Sequence, residues 1–103
     1  MALTKDFRET VQTRARNDQE FRRGLLTDAI DALLAGEAPL GREILRDFIN
    51  ATVGFPALAA QTDIHVKTLH QMFGPKGNPT AANLFKIIAC LQEHEGIRLQ
   101  VVA

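Results

Sequence analysis

Residues 58–73 read LAAQTDIHVKTLHQMF, and their spacing decides the fold. Leu58 and Ala59 lie before a break at Thr62-Asp63; Ile64, Leu69 and Met72 lie after it. The pattern predicts two short helices meeting at a sharp angle. Ala59 supplies a small side chain where the second helix crosses the first, and Asp63 tolerates the left-handed φ that so tight a turn demands. Ile64, Leu69 and Met72 then pin the second helix to a core. His65, Val66, Lys67, Thr68, His70 and Gln71 remain as the pool for its outward face, which is short, polar and free of acid.

Downstream, 80–94 predicts a helix with Leu84, Phe85, Ile87, Ile88 and Leu91 as its buried stripe, closed by Gly96. Asn78-Pro79-Thr80 starts it in one of two ways, an Asn cap with Pro first in the helix or a Thr cap after Pro. Upstream, 4–17 predicts a helix capped by Thr4, with Phe7, Val11 and Ala15 at four-residue steps. A second begins at Asp18, carries Phe21, Leu25, Leu26, Ala29, Ile30, Leu33 and Leu34, and ends at Gly36. A third runs from about Pro39 to Thr52, with Leu45, Phe48 and Ile49 inward and Arg42, Glu43, Arg46 and Asp47 outward. Phe7, Val11 and Phe21 are expected to close the core, or else to offer an apolar groove to a partner protein.

The tail 97–102, Ile-Arg-Leu-Gln-Val-Val, alternates apolar and polar residues over 97–101, the period of a strand. A lone strand needs partners for its amides and carbonyls, and the same tail of another copy supplies them, which predicts a homodimer through Ile97, Leu99 and Val101. The alternative is a frayed tail packed on the core by Ile97 and Leu99. The expected fold class is all-α: a bundle of five to six short helices within one domain, with a helical pair over 1–37, a core over 38–95 and the pairing strand over 96–103.

The spacing of 58–73 resembles the helix-turn-helix of the lambda-repressor/Cro family, L-A-x-x-x-G-[IV]-x-x-x-[ST]-[IL]-x-x-[ILMW]. Leu58, Ala59, Ile64, Thr68, Leu69 and Met72 match, and Asp63 stands where the family has Gly. Pro79-Thr80, Leu84, Ile87 or Ile88, and Leu91 extend the likeness, which covers roughly 40–95. The whole chain further resembles small bacterial regulators described as addiction-module antidote proteins. That likeness rests on the two leading helices, the run DFINATVGF at 47–55, the loop MFGPKGNPT at 72–80 and the tail GIRLQV at 96–101.

The resemblance implies a sequence-specific regulator of double-stranded DNA, a repressor or antitoxin-type autoregulator that binds an inverted repeat as a homodimer. It places Val66, Lys67 and Gln71 against bases and His65, Thr68 and Lys76 against phosphates, with amides near Phe55 and Ala57 as a helix-terminus contact. Lys reaches guanine O6/N7, Gln pairs with adenine N6/N7, and Val touches a thymine methyl. The competing expectation is a protein-interaction module that inhibits a toxin partner through the N-terminal helices or the C-terminal strand.

Composition agrees with a small folded domain. The chain has 103 residues, 46% of them hydrophobic, with 12 Lys+Arg against 12 Asp+Glu, which disfavours indiscriminate phosphate binding but permits specific binding. Residues 52–79 hold Lys67 and Lys76 against Asp63, the acid-poor segment. One Cys excludes an internal disulfide framework, and no apolar run or leader-like start appears, so a cytoplasmic location without membrane attachment is expected.

Enzyme readings find no footing. Cys90 sits among Ile87, Ile88 and Leu91 as a small apolar residue, and Gly74-Pro75-Lys76-Gly77 lacks the spacing of a phosphate loop. His65 and His70 are five apart and do not converge as metal ligands, so neither metal nor cofactor is expected. Arg14, Arg16, Arg22 and Arg23 interleave with Glu9, Asp18, Glu20 and Asp28, as ordinary surface charge does, in preference to a phosphate-reaching flank.

Overall fold

The computed structural model describes residues 4–103, which form six α-helices and, among those residues, no strand. The helices are α1 (Lys5–Asn17), α2 (Gln19–Leu34), α3 (Ala38–Ala51), α4 (Phe55–Thr62), α5 (Val66–Met72) and α6 (Ala81–Glu95). Contacts divide the chain into two units, one ending at Thr52 and the other beginning at Val53. No described helix is long and apolar enough to cross a membrane.

In the first unit α1, α2 and α3 pack on one another. Thr4 Oγ1 accepts from Phe7 N–H at 3.1 Å, and Asp18 Oδ1 from Phe21 N–H at 3.0 Å, so each side chain satisfies an amide that its helix leaves orphaned. The α2 end is a Schellman turn: Glu37 N–H donates to the Ala32 carbonyl and Gly36 N–H to that of Leu33, with Gly36 at φ +82°. Leu26, Ala29, Leu45, Phe48 and Ile49 are fully enclosed.

Polar groups between α1 and α3 correct the expected inward and outward faces. Arg8 pairs with Glu43, and Gln12 Nε2 donates to Asp47 Oδ1 at 3.0 Å. Asp47, expected outward, is therefore buried, while Arg42, Glu43 and Arg46 are half-buried. Because Arg8 and Gln12 occupy the side of α1 that meets α3, Phe7 is turned away by about 100° from Arg8 and stands exposed instead of closing the core. Leu34, at the last residue of α2, is also exposed.

In the second unit α4 packs with α5 and with α6. The Thr80 cap prevails over the Asn78 alternative: Thr80 Oγ1 accepts from Asn83 N–H at 3.2 Å. Ile87, Ile88 and Leu91 are buried as expected and Leu84 is half-buried, but Phe85 is exposed. Phe85 lies about 160° around the helix from Ile87, and one helix cannot bury so wide an arc on a single face.

The expected C-terminal strand is not formed in this chain. A strand requires a second one beside it, and the described chain contains none. The tail instead begins by capping α6: Ile97 N–H donates to the Gln92 carbonyl at 3.1 Å and Leu99 N–H to Gln92 Oε1 at 2.7 Å. Ile97 and Leu99 are half-buried and Val101 is exposed.

Candidate nucleic-acid interface

The link between α4 and α5 is three residues, Asp63-Ile64-His65. Thr62, the last residue of α4, is buried and donates its hydroxyl to the Leu58 carbonyl at 2.7 Å, tightening the final turn. Asp63 then takes φ 57° and ψ 32°, the one left-handed non-glycine residue among those described. That conformation redirects the chain within a single residue, as the break in the sequence anticipated. His65 caps α5, its Nδ1 accepting from Lys67 N–H at 3.1 Å. The bond assigns the imidazole proton to Nε2, so the ring's outer edge is a donor.

Leu58 and Leu69 are fully enclosed and Met72 is buried, while Ala59 and Ile64 are half-buried. With Leu69 and Met72 inward, Lys67 and Gln71, one turn apart, point the opposite way. Lys67, Thr68 and Gln71 are exposed, as are His65 and His70, and Val66 is half-buried at the margin. His70 is less free than its exposure suggests, because its ring stacks on buried Phe55 with centroids 4.4 Å apart. Phe55 in turn meets Phe73 edge-on at 5.9 Å. The outward pair is thus Lys67 and Gln71, flanked by His65 and Thr68.

The loop after α5 is folded tightly against the end of that helix. Gly74 N–H donates to the Gln71 carbonyl at 3.2 Å and Gly77 N–H to that of Gly74 at 3.0 Å. A β-carbon at Gly77 would lie 2.1 Å from the Met72 carbonyl oxygen, so only glycine permits this approach. The turn lifts Pro75 and Lys76 into solvent. Asp63 and Glu93 bracket a stretch, 64–92, that carries Lys67, Lys76 and Lys86 and no acidic residue.

An open groove of about 610 Å³ lies elsewhere in this unit, lined by Gln61, Thr62, Lys86, Ala89, Cys90, Glu93 and His94. Cys90, expected to be buried, is half-buried in it, and its thiol donates to Gln61 Oε1 at 2.9 Å. Burial and the nearby Glu93 carboxylate push the thiol pKa above its ordinary value, which keeps it protonated at neutral pH and a poor nucleophile. Two structural residues escaped the sequence reading. Thr62 gave no sign of burial, and Gly77, read only as part of a turn, is visible as a constraint only once the loop's path is known.

Comparison of the chain with protein-family models, curated proteins and solved structures finds no match.

Proposed function

We propose that this protein is a sequence-specific DNA-binding transcription regulator, a repressor or autoregulator in which α4 and α5 act as a helix-turn-helix. One observation carries the reading. Left-handed Asp63 ends α4 three residues before α5 begins, and the side of α5 opposite Leu69 and Met72 presents Lys67 and Gln71 on a helix that itself carries no acidic residue. In this reading α5 enters the major groove, where Lys67 and Gln71 offer hydrogen bonds to base edges and Val66 an apolar contact. His65 Nε2–H, Thr68 Oγ1 and Lys76 Nζ contact phosphates and set the register.

A regulator of this kind reads an inverted repeat as a two-fold dimer. The tails, with Ile97, Leu99 and Val101, form the pairing strand when a second copy supplies the missing partner. The roles require binding chemistry only, with neither metal nor cofactor.

The test is selection of bound duplexes from a randomised pool at near-physiological salt, followed by sequencing. Enrichment of an inverted repeat with half-sites about one helical turn, ~34 Å, apart is the expected result. Lys67→Ala and Gln71→Ala then relax preference at particular bases, by about 1–3 kcal/mol each, whereas Lys76→Ala weakens all duplexes alike and lowers the salt dependence. Folded protein that enriches no sequence overturns the proposal. Deleting 97–103 yields a monomer by light scattering if the tails pair; a persisting dimer assigns the interface elsewhere.

A further inference from the structure

One residue of α6 holds the tail at two points. Ile97 N–H donates to the Gln92 carbonyl at 3.1 Å and Leu99 N–H to Gln92 Oε1 at 2.7 Å, while Gln92 Nε2 reaches the Ile88 carbonyl at 3.4 Å. Amides two residues apart that reach the same residue point to one side of the chain, as they do in an extended strand. Burial alternates with the same period: Ile97 and Leu99 are half-buried, Arg98 and Gln100 exposed. The Gln92 side chain therefore stands where the first neighbouring strand of a sheet would stand. The residues between turn their N–H and C=O groups to the other side, and among the described residues the amides of Arg98, Gln100 and Val102 have no partner.

We propose that Gln92 is a positioning residue: it occupies the inner edge of the tail and so presents the outer edge, Arg98, Gln100 and Val102, to the same edge of a second copy, antiparallel and with Gln100 opposite Gln100. The inference rests on the reading of the tail as a pairing strand and adds to it the edge that pairs, the register and the residue that presents the edge. An unpaired strand edge is a template for another strand, and Gln92 leaves only one such edge open at 97–100.

The side chains select the register. A two-fold antiparallel pair centred on Gln100 sets Arg98 opposite Val102 and uses all three outward residues, each facing pair exchanging both of its N–H···O bonds. Centring on Arg98 would bring two guanidinium groups directly opposite each other, and like charges so placed destabilise a sheet. Centring on Leu99 would oppose Val102 to Gly96, which at φ +74° lies outside the β region. With Gln100 at the centre, Leu99 faces Val101 across the pair, on the side of the strand that carries Ile97. Val101, 81% exposed in the single chain, thereby gains an apolar neighbour.

Amide hydrogen exchange of the full chain, compared below and above the concentration at which light scattering shows a dimer, tests the edge. Leu99 is expected to be protected in both states, and Arg98, Gln100 and Val102 in the dimer alone. Gln92→Ala removes the protection of Leu99 and raises the dimer dissociation constant about fivefold, the effect of one hydrogen bond, whereas Gln92→Glu keeps an acceptor oxygen in place and retains both. Cross-linking in a Cys90→Ala background tests the register. Gln100→Cys is expected to oxidise to a covalent dimer, since facing Cα atoms ~5.5 Å apart are within disulfide reach, and Arg98→Cys, ~13 Å from its counterpart, is not. A tail-dependent dimer that protects 99 and 101 in place of 98, 100 and 102, that cross-links faster through 98 than through 100, or that Gln92→Ala leaves as tight as wild type overturns the proposal while the tail reading stands. A chain that stays dimeric without 97–103, or monomeric at every concentration, overturns the tail reading itself and the proposal with it.

Discussion

The two units solve the packing of three helices in different ways. In the first, the helices are 13 to 16 residues long and polar side chains bridge them, Arg8 to Glu43 and Gln12 to Asp47. In the second, α4 and α5 have eight and seven residues, too short to be stable in isolation, and the backbone at Asp63 and at Gly77 shapes the turns on either side of α5. The difference separates what each can vary. Side chains hold α1 against α3, so changing them changes the packing. Backbone geometry and a few apolar anchors hold α5, so its outward residues can differ without disturbing the fold.

The largest expected effect is at Gly77. In Gly77→Ala the new methyl collides with the Met72 carbonyl, which is backbone and cannot swing aside, and the loop 74–79 must move. A loss of about 3 kcal/mol or more is expected in urea denaturation followed by circular dichroism, together with loss of duplex binding. A wild-type midpoint would show that the loop does not brace α5.

The side-chain pairs come next. Gln12→Leu leaves the buried Asp47 carboxylate without its amide donor and is expected to cost about 1–3 kcal/mol, most of it restored in Gln12→Leu/Asp47→Leu. The corresponding change in the second unit, Gln61→Ala, removes an acceptor from Cys90 where both groups meet solvent, and is expected within about 0.5 kcal/mol of wild type. Similar losses at the two sites would erase the contrast between the units.

How much of this the sequence disclosed follows from the range of the forces involved. Local signals were legible: Thr4 as a cap, Asp18 as a helix start, Gly36 and Gly96 as stops, and Asp63 as the left-handed turn, because each acts within a few residues of itself, while the start of α6 stayed open between Asn78 and Thr80 until the structure chose Thr80. The helical stripes were legible only in part. Phe7 and Phe85 count as core by spacing, yet Arg8 and Gln12 take the face that Phe7 would need, and Ile87 and Leu91 set a face that excludes Phe85. Asp47 hides for the same reason, since its burial depends on Gln12, 35 residues away. The outward set on α5 could be read because two apolar anchors fix the orientation of a seven-residue helix.

The smallest effects are two substitutions of opposite kind that should both stabilise. Gly24 is exposed in the middle of α2 with nothing within 4 Å of an added β-carbon, so Gly24→Ala exchanges a poor helix former for the best at no steric cost. A gain of about 0.5–1 kcal/mol is expected. Asp63→Gly works the other way, relieving the β-carbon of a residue at φ 57° while loosening the unfolded chain. The relief of about 1–2 kcal/mol outweighs the entropic loss, leaving a net gain of about 0.5–1 kcal/mol. The pair is decisive because the same exchange has opposite sign in the two units: Gly24→Ala gains in a long helix whose path neighbours already set, and Asp63→Gly gains where the backbone itself sets the path. If Asp63→Gly destabilised the protein, the Asp63 side chain would be holding the turn, and the claim that the backbone conformation at residue 63 sets the chain's path there would fail.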